Sequence, residues 1–275
     1  MEHRIFMLWP DGLKKALTFS YDDGVMQDIQ LISLFRRYGL KATFNLNSAF
    51  FGQIDSIPSG NREVDHSHVP EEDVPLVYAG FETAIHTVHH PFLTQLSDPI
   101  ATGEILNDRA AIERLVGYPV RGMAYPFGAV DERVKNIVKA CGVVYSRGTG
   151  TTGKYALPVD PYDWSCSCHH NGLEPLIDPF LNNDRWIQLL SVWGHSYEFD
   201  FTNGWDKFEN QLSRLGGNDD IWYATNIEIF DYIQAYNALR WTCDGDVAVN
   251  PGCQDVFVEV DGETVCIPGG ERMEL

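Results

Sequence analysis

Between residues 14 and 239, two patterns of hydrophobic residues alternate along the chain. Short apolar runs typical of buried strands are separated by longer segments in which apolar residues recur every three or four positions, as on one face of a helix. Strands that alternate with helices in this way favour a mostly parallel sheet or barrel. The pattern predicts strands at 14–21, 41–47, 81–87, 118–125, 143–145, 186–193 and 221–224, and helices at 25–37, 71–78, 98–115, 131–140, 173–181, 203–215 and 227–239.

Turn and loop signals break this pattern in three places. A turn at residues 10–12 is predicted to close an opening hairpin. Residues 48–70 are polar and rich in Gly, Pro, Ser and Asn, and residues 147–170 are irregular. Long loops inside compact domains often form lids or ligand walls. His66 and His68 lie in the first loop, where we expect them to be solvated.

The pattern changes again after residue 239. Three short alternating stretches follow, with Asp261 and Gly262 as a hairpin turn between the second and the third. We therefore predict two units, a main α/β domain at 1–239 and a small β-rich extension at 240–275 that packs on it and carries no chemistry.

The chain is strongly acidic, with 39 Asp and Glu, 20 Lys and Arg, and a net charge of −19. Because phosphate binding needs clustered basic residues, this composition argues against nucleic acid and anionic membrane as partners. No apolar run is long enough to span a bilayer, and residues 5–9 are too short for a signal peptide. We expect a cytoplasmic location and free thiols, since the six cysteines lack CxxC spacing. The oligomeric state does not follow from the sequence.

The first predicted strand ends in two adjacent carboxylates, Asp22 and Asp23, followed by Gly24. Charge at the end of an apolar strand is costly unless a metal, a proton transfer or hydrogen bonds use it. Neighbouring side chains on a strand point to opposite faces, so the pair can serve different partners only if the backbone bends there, which Gly24 permits. The alternative is a strand-to-helix turn in which an Asp caps the next helix.

His86 and His90 are four residues apart, which is one helical turn. On a turn that leaves the strand they face the same way. Two imidazoles and one carboxylate leave a coordination position open for water, as in a catalytic zinc site, and Asp23 is the natural carboxylate. His89 should point elsewhere. The alternative is a polar histidine-rich loop without a metal.

Two further strands end in residues that suit a site, because α/β active sites form at the carboxyl ends of parallel strands. One ends at residues 125–128, Tyr-Pro-Phe-Gly, and taken on its own this segment favours a simple strand terminus with a rigid turn. The other ends in His195. Residues 160–164, Asp-Pro-Tyr-Asp-Trp, could supply an orienting carboxylate and an aromatic wall.

Cys166, Cys168, His169 and His170 form a separate cluster of four potential metal ligands in five residues. Ligands so close in sequence rarely surround one ion tetrahedrally. The segment therefore favours substrate contact by His169 or His170 over a second metal.

Taken in order, these motifs resemble those of the NodB-homology polysaccharide deacetylases over roughly residues 14–240. The family's Asp-Asp-Gly strand end appears at residues 20–24, and its His-Ser/Thr-x-x-His motif is intact at 86–90. The resemblance implies a distorted (β/α) barrel of the NodB-homology type, with fewer than eight strands and a small C-terminal β appendage. Residues 1–239 would then be the deacetylase-like catalytic domain.

The resemblance also implies a reaction, the metal-dependent hydrolysis that removes acetyl groups from an N-acetylated sugar or oligosaccharide. One divalent metal, most often zinc, would polarise the acetamide carbonyl. Residue by residue, it implies metal ligands at Asp23, His86 and His90, a general base at Asp22, a general acid at His195, an oxyanion-stabilising backbone N–H at Phe127, and substrate contacts at Tyr125, Trp164, His169 and Trp193.

Three positions depart from the family pattern. The motif arginine falls on Ala124, so either Arg121 reaches in from elsewhere or Asp22 lacks its usual partner. Trp193 replaces the leucine that lines the acetyl pocket, which would narrow the pocket or supply a face for sugar stacking. Asp163, in an irregular segment, is a hypothetical orienting carboxylate, and a plain turn residue is the alternative.

Two other functions stay open. The departures at Ala124 and Trp193 also suit a related amidase that cleaves a non-carbohydrate C–N bond. Loss of turnover would leave a catalytically silent carbohydrate-binding homologue. The retained carboxylates and histidines favour an enzyme, because a decayed site should lose a costly charged cluster first.

Overall fold

The computed structural model describes residues 3–60 and 62–275. The helices are α1 (Asp28–Arg37), α2 (Val74–Val77), α3 (Asp98–Val116), α4 (Glu132–Ala140), α5 (Glu174–Leu181), α6 (Glu198–Thr202), α7 (Trp205–Leu215) and α8 (Asn226–Asn237). Within these described residues, no helix combines the length and the apolar character that crossing a membrane requires.

The strands fall into one large sheet and three small ones. They are β1 (Ile5–Met7), β2 (Lys15–Asp23), β3 (Ala42–Leu46), β4 (Ser56–Ser59), β5 (Arg62–Asp65), β6 (Glu82–Ile85), β7 (Gly122–Ala124), β8 (Tyr145–Thr151), β9 (Trp164–Cys166), β10 (Cys168–His169), β11 (Gln188–Gly194), β12 (Ile221–Tyr223), β13 (Arg240–Trp241), β14 (Val247–Val249), β15 (Val256–Val260), β16 (Glu263–Ile267) and β17 (Arg272–Glu274).

The large sheet is parallel and its two edges meet. Its order is β10–β11–β2–β3–β6–β7–β8–β9, with β12 added beside the start of β2. The segment 164–169 contains both β9 and β10, and between them Ser167 N–H donates to Ser191 O at 2.8 Å. One short segment therefore pairs with β8 at one end and with β11 at the other. This mixed α/β fold around a central parallel sheet confirms the predicted fold class.

β2 lies at the centre of the sheet because the side chains on both of its faces can be buried. Eight of its nine residues are buried, and only Asp23 is partly exposed. Leu17, Phe19 and Tyr21 belong to the main hydrophobic core. A buried parallel strand brings its last residue to the same sheet edge as the ends of its neighbours, which is where the candidate site lies.

The segment 48–70, predicted as an open loop, contains a hairpin. Strands β4 and β5 pair in antiparallel fashion, and Val69 N–H donates to Gly24 O at 2.9 Å. The hairpin segment therefore packs against the end of β2. His68 is buried and His66 is half-buried, so the expectation that both are solvated is wrong. Polar residues on both faces of the hairpin hide the strand period that would have predicted it.

The segment 147–170, predicted as irregular, contains most of β8 and all of β9 and β10. Residues 145–151 read Tyr-Ser-Arg-Gly-Thr-Gly-Thr, which has neither an apolar run nor a regular alternation. These strands form because edge residues of a curved sheet pair with strands that are already placed, a tertiary effect that local pattern does not carry.

Residues 240–275 form two small sheets, and β1 from the amino terminus joins one of them. β1 pairs with β15, so the predicted opening hairpin with β2 is wrong. The turn at Pro10–Gly12 has φ of +61° at Asp11 and leads the chain away from a hairpin. Tyr232 on α8 links the parts, because its hydroxyl donates to Leu8 O at 2.8 Å and accepts from Phe257 N–H at 2.9 Å.

Candidate active site

Asp22 and Asp23 reach the same edge of the sheet because the backbone bends at Asp23. Asp23 has φ of +80° and Gly24 has φ of +69°, which ends the strand alternation. Asp22 Oδ2 lies 3.9 Å and Asp23 Oδ1 lies 3.7 Å from the same atom, His86 Nε2. The bend predicted at Gly24 thus begins one residue earlier and lets both carboxylates face one site.

Asp23, His86 and His90 come together as their spacing in the sequence predicts. The Nε2 atoms of the two histidines are 3.1 Å apart, and Asp23 Oδ1 is 3.9 Å from His90 Nε2. One ligand atom from each residue lies within 4.8 Å of the other two. Two imidazole nitrogens and one carboxylate oxygen at these separations fit the donor set of an open zinc-type site.

The tautomer of His86 also fits a metal ligand. Its Nδ1 lies 2.7 Å from Ala124 O, and since a carbonyl can only accept, Nδ1 carries the proton. Nε2 then presents its lone pair to the cluster, as in metal sites where the second ring nitrogen is anchored. Burial lowers the pKa of His86 to about 3 and also lowers the pKa of His90, so both rings are neutral.

Buried polar groups and strained backbone hold the loop that carries these histidines. Asn47 Nδ2 donates to the carbonyls of His86 and Thr87 at 2.6 and 2.8 Å, and Asp108 accepts from His86 N–H at 3.1 Å. Thr87 and His90 have φ of +68° and +53°. Such conformations cost on the order of 1–3 kcal/mol each and cluster at functional sites.

Arg147 is the partner of Asp22, and the sequence motifs did not identify it. Its fully buried guanidinium forms a short ion pair with Asp22 Oδ1, which also accepts from Asn45 Nδ2 at 2.9 Å. Burial disfavours the charged form of Asp22, but Arg147, His86 and His195 together outweigh it and lower the pKa, with Arg147 the largest of the three. Arg147 on β8 lies directly opposite Ala124 on β7, the position where the motif arginine is missing.

Arg121, the alternative considered from the sequence, does not reach the site. Its guanidinium nitrogens donate to Asp231 at 2.8 and 2.9 Å in a partly exposed pair. A signal for Arg147 does exist in the sequence, because it is a lone basic residue just after a predicted strand. A charge buried at such a point needs an ionic partner, and the nearby motif carboxylates are candidates.

His195 follows β11 and lies between two carboxylates. Its Nε2 is 3.9 Å from Asp22 Oδ2, and its Nδ1 is 3.0 Å from Glu198 Oε1. Burial opposes the charged ring, but Glu198 and the two aspartates outweigh it and raise the pKa of His195 to about 9. Asp163 does not orient this ring, because its carboxylate lies 3.6 Å from Lys135 Nζ. Asp163 is instead a plain turn carboxylate, the other interpretation drawn from the sequence, because residues 160–163 turn towards α4.

Phe127 borders the histidine pair, whereas Tyr125 does not reach it. Phe127 has φ of +58°, and its ring stacks on Phe92 with centroids 3.9 Å apart and meets the His90 ring at 4.5 Å. Tyr125 is 1% exposed, and its hydroxyl donates to Tyr162 O at 2.9 Å. The structure therefore contradicts substrate contact by the Tyr125 side chain, because a fully buried ring offers no surface to a sugar.

Two of the three remaining residues expected to bind substrate lie at the site. The ring of Trp193 is 4.7 Å from that of His169 and 5.7 Å from that of His195. Trp164 instead packs against Tyr145 in the core with 1% of its surface exposed. The expectation that Trp164 contacts substrate is wrong, because β9 directs its side chain into the core.

His66 also approaches the site, from the β4–β5 hairpin. Its Nε2 lies 4.0 Å from Asp23 Oδ2, and its ring meets the ring of Tyr197 at 4.8 Å. Burial raises the pKa of Asp23 to about 6, and 13% of its side chain is exposed. No motif marks His66, and only the folding of the hairpin brings it close.

The cluster at 166–170 divides into two parts. Cys166 and Cys168 are buried thiols, and burial raises their pKa values to about 11 and about 12. His169 and His170 instead turn towards Glu198, and these three residues have the spacing of metal ligands. The carboxylate at position 198 was not expected to join them.

The fold and the site together define an α/β protein with a candidate metal centre at the carboxyl ends of its parallel strands. An ionised carboxylate and a charged imidazole lie beside that centre. Comparison with known proteins narrows the class. A family model described as polysaccharide deacetylase matches residues 10–146. The chain belongs to the polysaccharide deacetylase family over those residues, which confirms the resemblance drawn from the motifs.

Solved structures support the same fold at low sequence identity. A proposed polysaccharide deacetylase from Mycobacterium smegmatis is 15% identical and has a TM-score of 0.59, over 83% of this chain and 93% of that one. A mutant of the peptidoglycan deacetylase PdaC from Bacillus subtilis is 16% identical and has a TM-score of 0.52, over 82% and 94%. At these identities the similarity establishes the fold alone.

Other matches are partial. The Streptococcus pyogenes deacetylase PplD, solved in complex with acetate, is 19% identical and has a TM-score of 0.41. The match covers 48% of this chain and only 55% of that protein. No curated protein sequence matches the chain.

Proposed function

We propose that this chain is a metal-dependent deacetylase that hydrolyses the acetamide of an N-acetylated sugar or oligosaccharide and releases acetate. The observation that carries the proposal is the close grouping of a paired base and acid with a three-ligand cluster. Asp22 Oδ2 is 3.9 Å from His195 Nε2 and 3.9 Å from His86 Nε2. Membership of the polysaccharide deacetylase family supports the substrate class.

A divalent metal held by Asp23, His86 and His90, with zinc the best match to two imidazoles and a carboxylate, would polarise the acetamide carbonyl and acidify water. Asp22, kept ionised by Arg147, would take the proton from the attacking water. The backbone N–H of Phe127 would donate to the carbonyl oxygen as that atom gains negative charge.

His195 would act as the general acid. As the C–N bond breaks, the leaving nitrogen needs a proton, and an imidazolium held by Glu198 can supply it. The products are acetate and a free amine. Trp193 and His169 border His195. His169, whose side chain is 23% exposed, would present its ring to the sugar, and Trp193, which is 9% exposed, would contribute only an edge.

We also propose that residues 1–239 contain the whole catalytic unit and that 240–275 are an extension without chemistry of their own. Every residue given a role above lies before residue 200. The extension has a separate small core that includes Leu239, Val258 and Ile267.

Acetate release tests the proposal directly. The metal-loaded full chain is assayed with N-acetylated chitooligosaccharides, with N-acetylglucosamine derivatives and with small acetamides that lack a sugar. We expect release from the sugars that disappears after chelation and returns with Zn²⁺. Release from the small amides alone would overturn the sugar assignment in favour of an amidase. No release from any of them by a metal-loaded chain would favour a catalytically silent homologue.

A further inference from the structure

A second group of potential metal ligands lies outside the set that the family motifs mark. It consists of His169, His170 and Glu198, named below the His-His-Glu cluster. Glu198 Oε2 lies 3.1 Å from His169 Nε2 and 3.0 Å from His170 Nε2. One ligand atom from each residue lies within 4.8 Å of the other two. Two imidazoles and one carboxylate are the same donor set as in the first group.

The backbone explains how two adjacent histidines can face one point. In a straight strand their side chains would point to opposite faces. His169 ends β10 in an extended conformation, with φ −71° and ψ 150°, and His170 begins a single 3-10 turn. The two rings are consequently neighbours, with centroids 4.3 Å apart. The objection that adjacent ligands cannot share an ion does not hold at this bend.

His170 is built into the core with its polar atoms unpaired. Its ring stacks on both Tyr21 and Phe199, with centroids 5.9 and 4.4 Å away, and the residue is 3% exposed. A Cβ at position 194 would collide with His170 Nδ1, so only Gly194 leaves room for this ring. Among the residues that the structure describes, neither ring nitrogen of His170 has a hydrogen-bond partner. Leaving a buried polar group unpaired costs about 1–3 kcal/mol.

The distance between His170 Nε2 and Glu198 Oε2 is typical of two ligand atoms bound to one metal ion. Nε2 and Oε2 are 3.0 Å apart, yet within the described part of the chain neither atom is paired in a hydrogen bond. Metal–nitrogen and metal–oxygen bonds of about 2.0–2.2 Å place two ligand atoms of one ion roughly 3 Å apart, with both lone pairs directed at the ion. The side chains of His169 and Glu198 are each 23% exposed, so the cluster is open to solvent.

We propose that His169, His170 and Glu198 form a second site for a divalent first-row transition metal. Nitrogen-rich donor sets suit Zn²⁺ and its neighbours, whereas Mg²⁺ and Ca²⁺ prefer oxygen ligands alone. The remaining oxygen, Glu198 Oε1, lies 3.0 Å from His195 Nδ1, so one carboxylate would join this metal to His195. The proposal goes beyond the deacetylase function and does not depend on it.

The competing arrangement is a metal-free cluster. Asn171 N–H donates to His169 Nδ1 at 3.3 Å, which places the His169 proton on Nε2, facing Glu198. Metal binding at His169 Nε2 would have to break this contact and move the proton to Nδ1. That arrangement predicts one metal per chain rather than two.

Metal stoichiometry distinguishes the two arrangements without any activity assay. The full chain is stripped with a chelator, reloaded with Zn²⁺, desalted and analysed for metal per chain. We expect two equivalents for the wild type, one for Glu198→Gln, one for Asp23→Asn and none for the double variant. His169→Asn, at a partly exposed position, should also retain one equivalent, and far-UV circular dichroism verifies the fold of each variant.

Glu104→Gln is the matched control. Glu104 Oε1 lies 2.8 Å from the exposed His89 Nδ1, a carboxylate–imidazole pair without a second histidine. This variant should keep two equivalents. One equivalent in the wild type, or two retained by both Glu198→Gln and His169→Asn, would overturn the second site. Retention of metal by Asp23→Asn with loss in Glu198→Gln would instead count against the first site and the proposed function.

Discussion

The two groups of two histidines and one carboxylate share a donor set but are built differently. Asp23, His86 and His90 come from two strand ends, and the carboxylate oxygen stays 3.7–3.9 Å from the imidazole nitrogens. In the His-His-Glu cluster the corresponding distances are 3.0–3.1 Å.

The surroundings of the two carboxylates differ as well. Burial raises the pKa of Asp23 to about 6. Burial acts the same way on Glu198, but three neighbouring imidazoles outweigh it and hold the pKa of Glu198 well below its usual range. The comparison shows that donor type alone does not set the role of such a group. The Asp23–His86–His90 group lies beside the proposed base Asp22 and is therefore placed for catalysis. The His-His-Glu cluster lies behind the proposed acid His195 and is therefore placed to orient it.

Substituting the two adjacent aspartates one at a time tests this difference most directly. Asp22→Asn keeps the shape of the side chain but removes the base, so we expect kcat for acetate release to fall about 10²–10⁴-fold with metal content unchanged. Asp23→Asn should lose both activity and one metal equivalent. Normal hydrolysis by both variants would mean that the roles are wrongly assigned.

Arg147→Met removes the partner of a buried carboxylate and should destabilise the fold by about 3–5 kcal/mol in the free energy of unfolding. Denaturant unfolding measures the change. Asp22→Asn in the same chain should recover part of the loss, because the uncompensated charge is then gone.

Arg121→Met is the control for Arg147→Met, since the Arg121–Asp231 pair is partly exposed. Exposed pairs are worth about 0–1 kcal/mol. Equal losses for both arginine variants would contradict the assignment of Arg147 as the residue that positions Asp22.

Glu198→Gln should lower kcat about 10–100-fold with little change in KM, as expected when a group that orients another is lost. The carboxylate contacts His195 Nδ1 and would act through that ring. A merely structural role would instead lower thermal stability and leave kcat per folded chain unchanged. Steady-state kinetics together with thermal unfolding separate these outcomes.

Glu82 is a buried carboxylate at the opposite end of β6 from His86, and it extends the comparison to a carboxylate whose hydrogen-bond donors in the described structure are not histidines. It accepts from Thr43 Oγ1 at 2.7 Å, Tyr145 OH at 2.8 Å and Ile227 N–H at 2.9 Å. Burial raises the pKa of Glu82 to about 7, above its ordinary value of 4.5. The folded state therefore binds an extra proton between these two pH values.

The contribution of Glu82 protonation to the free energy of unfolding is consequently full below about pH 4.5 and is lost as pH rises through about 7. We expect the wild-type Tm to fall over this window and the Glu82→Gln Tm to fall less, by a few degrees on the scale of about 2–4 °C per kcal/mol. Metal content should not change. Parallel Tm curves for both proteins would contradict the raised pKa.

Much of the first site could be predicted from local sequence. The Asp22–Asp23–Gly24 strand end and the His86–His90 spacing each lie within one short segment, and their chemistry follows from strand and turn geometry. The alternation of strands and helices likewise predicted the parallel sheet. Trp164 and Tyr125 were wrongly assigned because motif position does not reveal whether an aromatic ring faces the core or the site.

Only the tertiary structure decided which residues pair with these motifs. Arg147 replaces a missing arginine from the neighbouring strand, Glu198 replaces Asp163 beside His195, and His66 arrives on a hairpin that local pattern did not reveal. Sequence by itself determined which residues end the buried strands, because burial and backbone bending are local properties. It could not determine which charges meet, because ion pairs form between strands that are adjacent in space and distant along the chain.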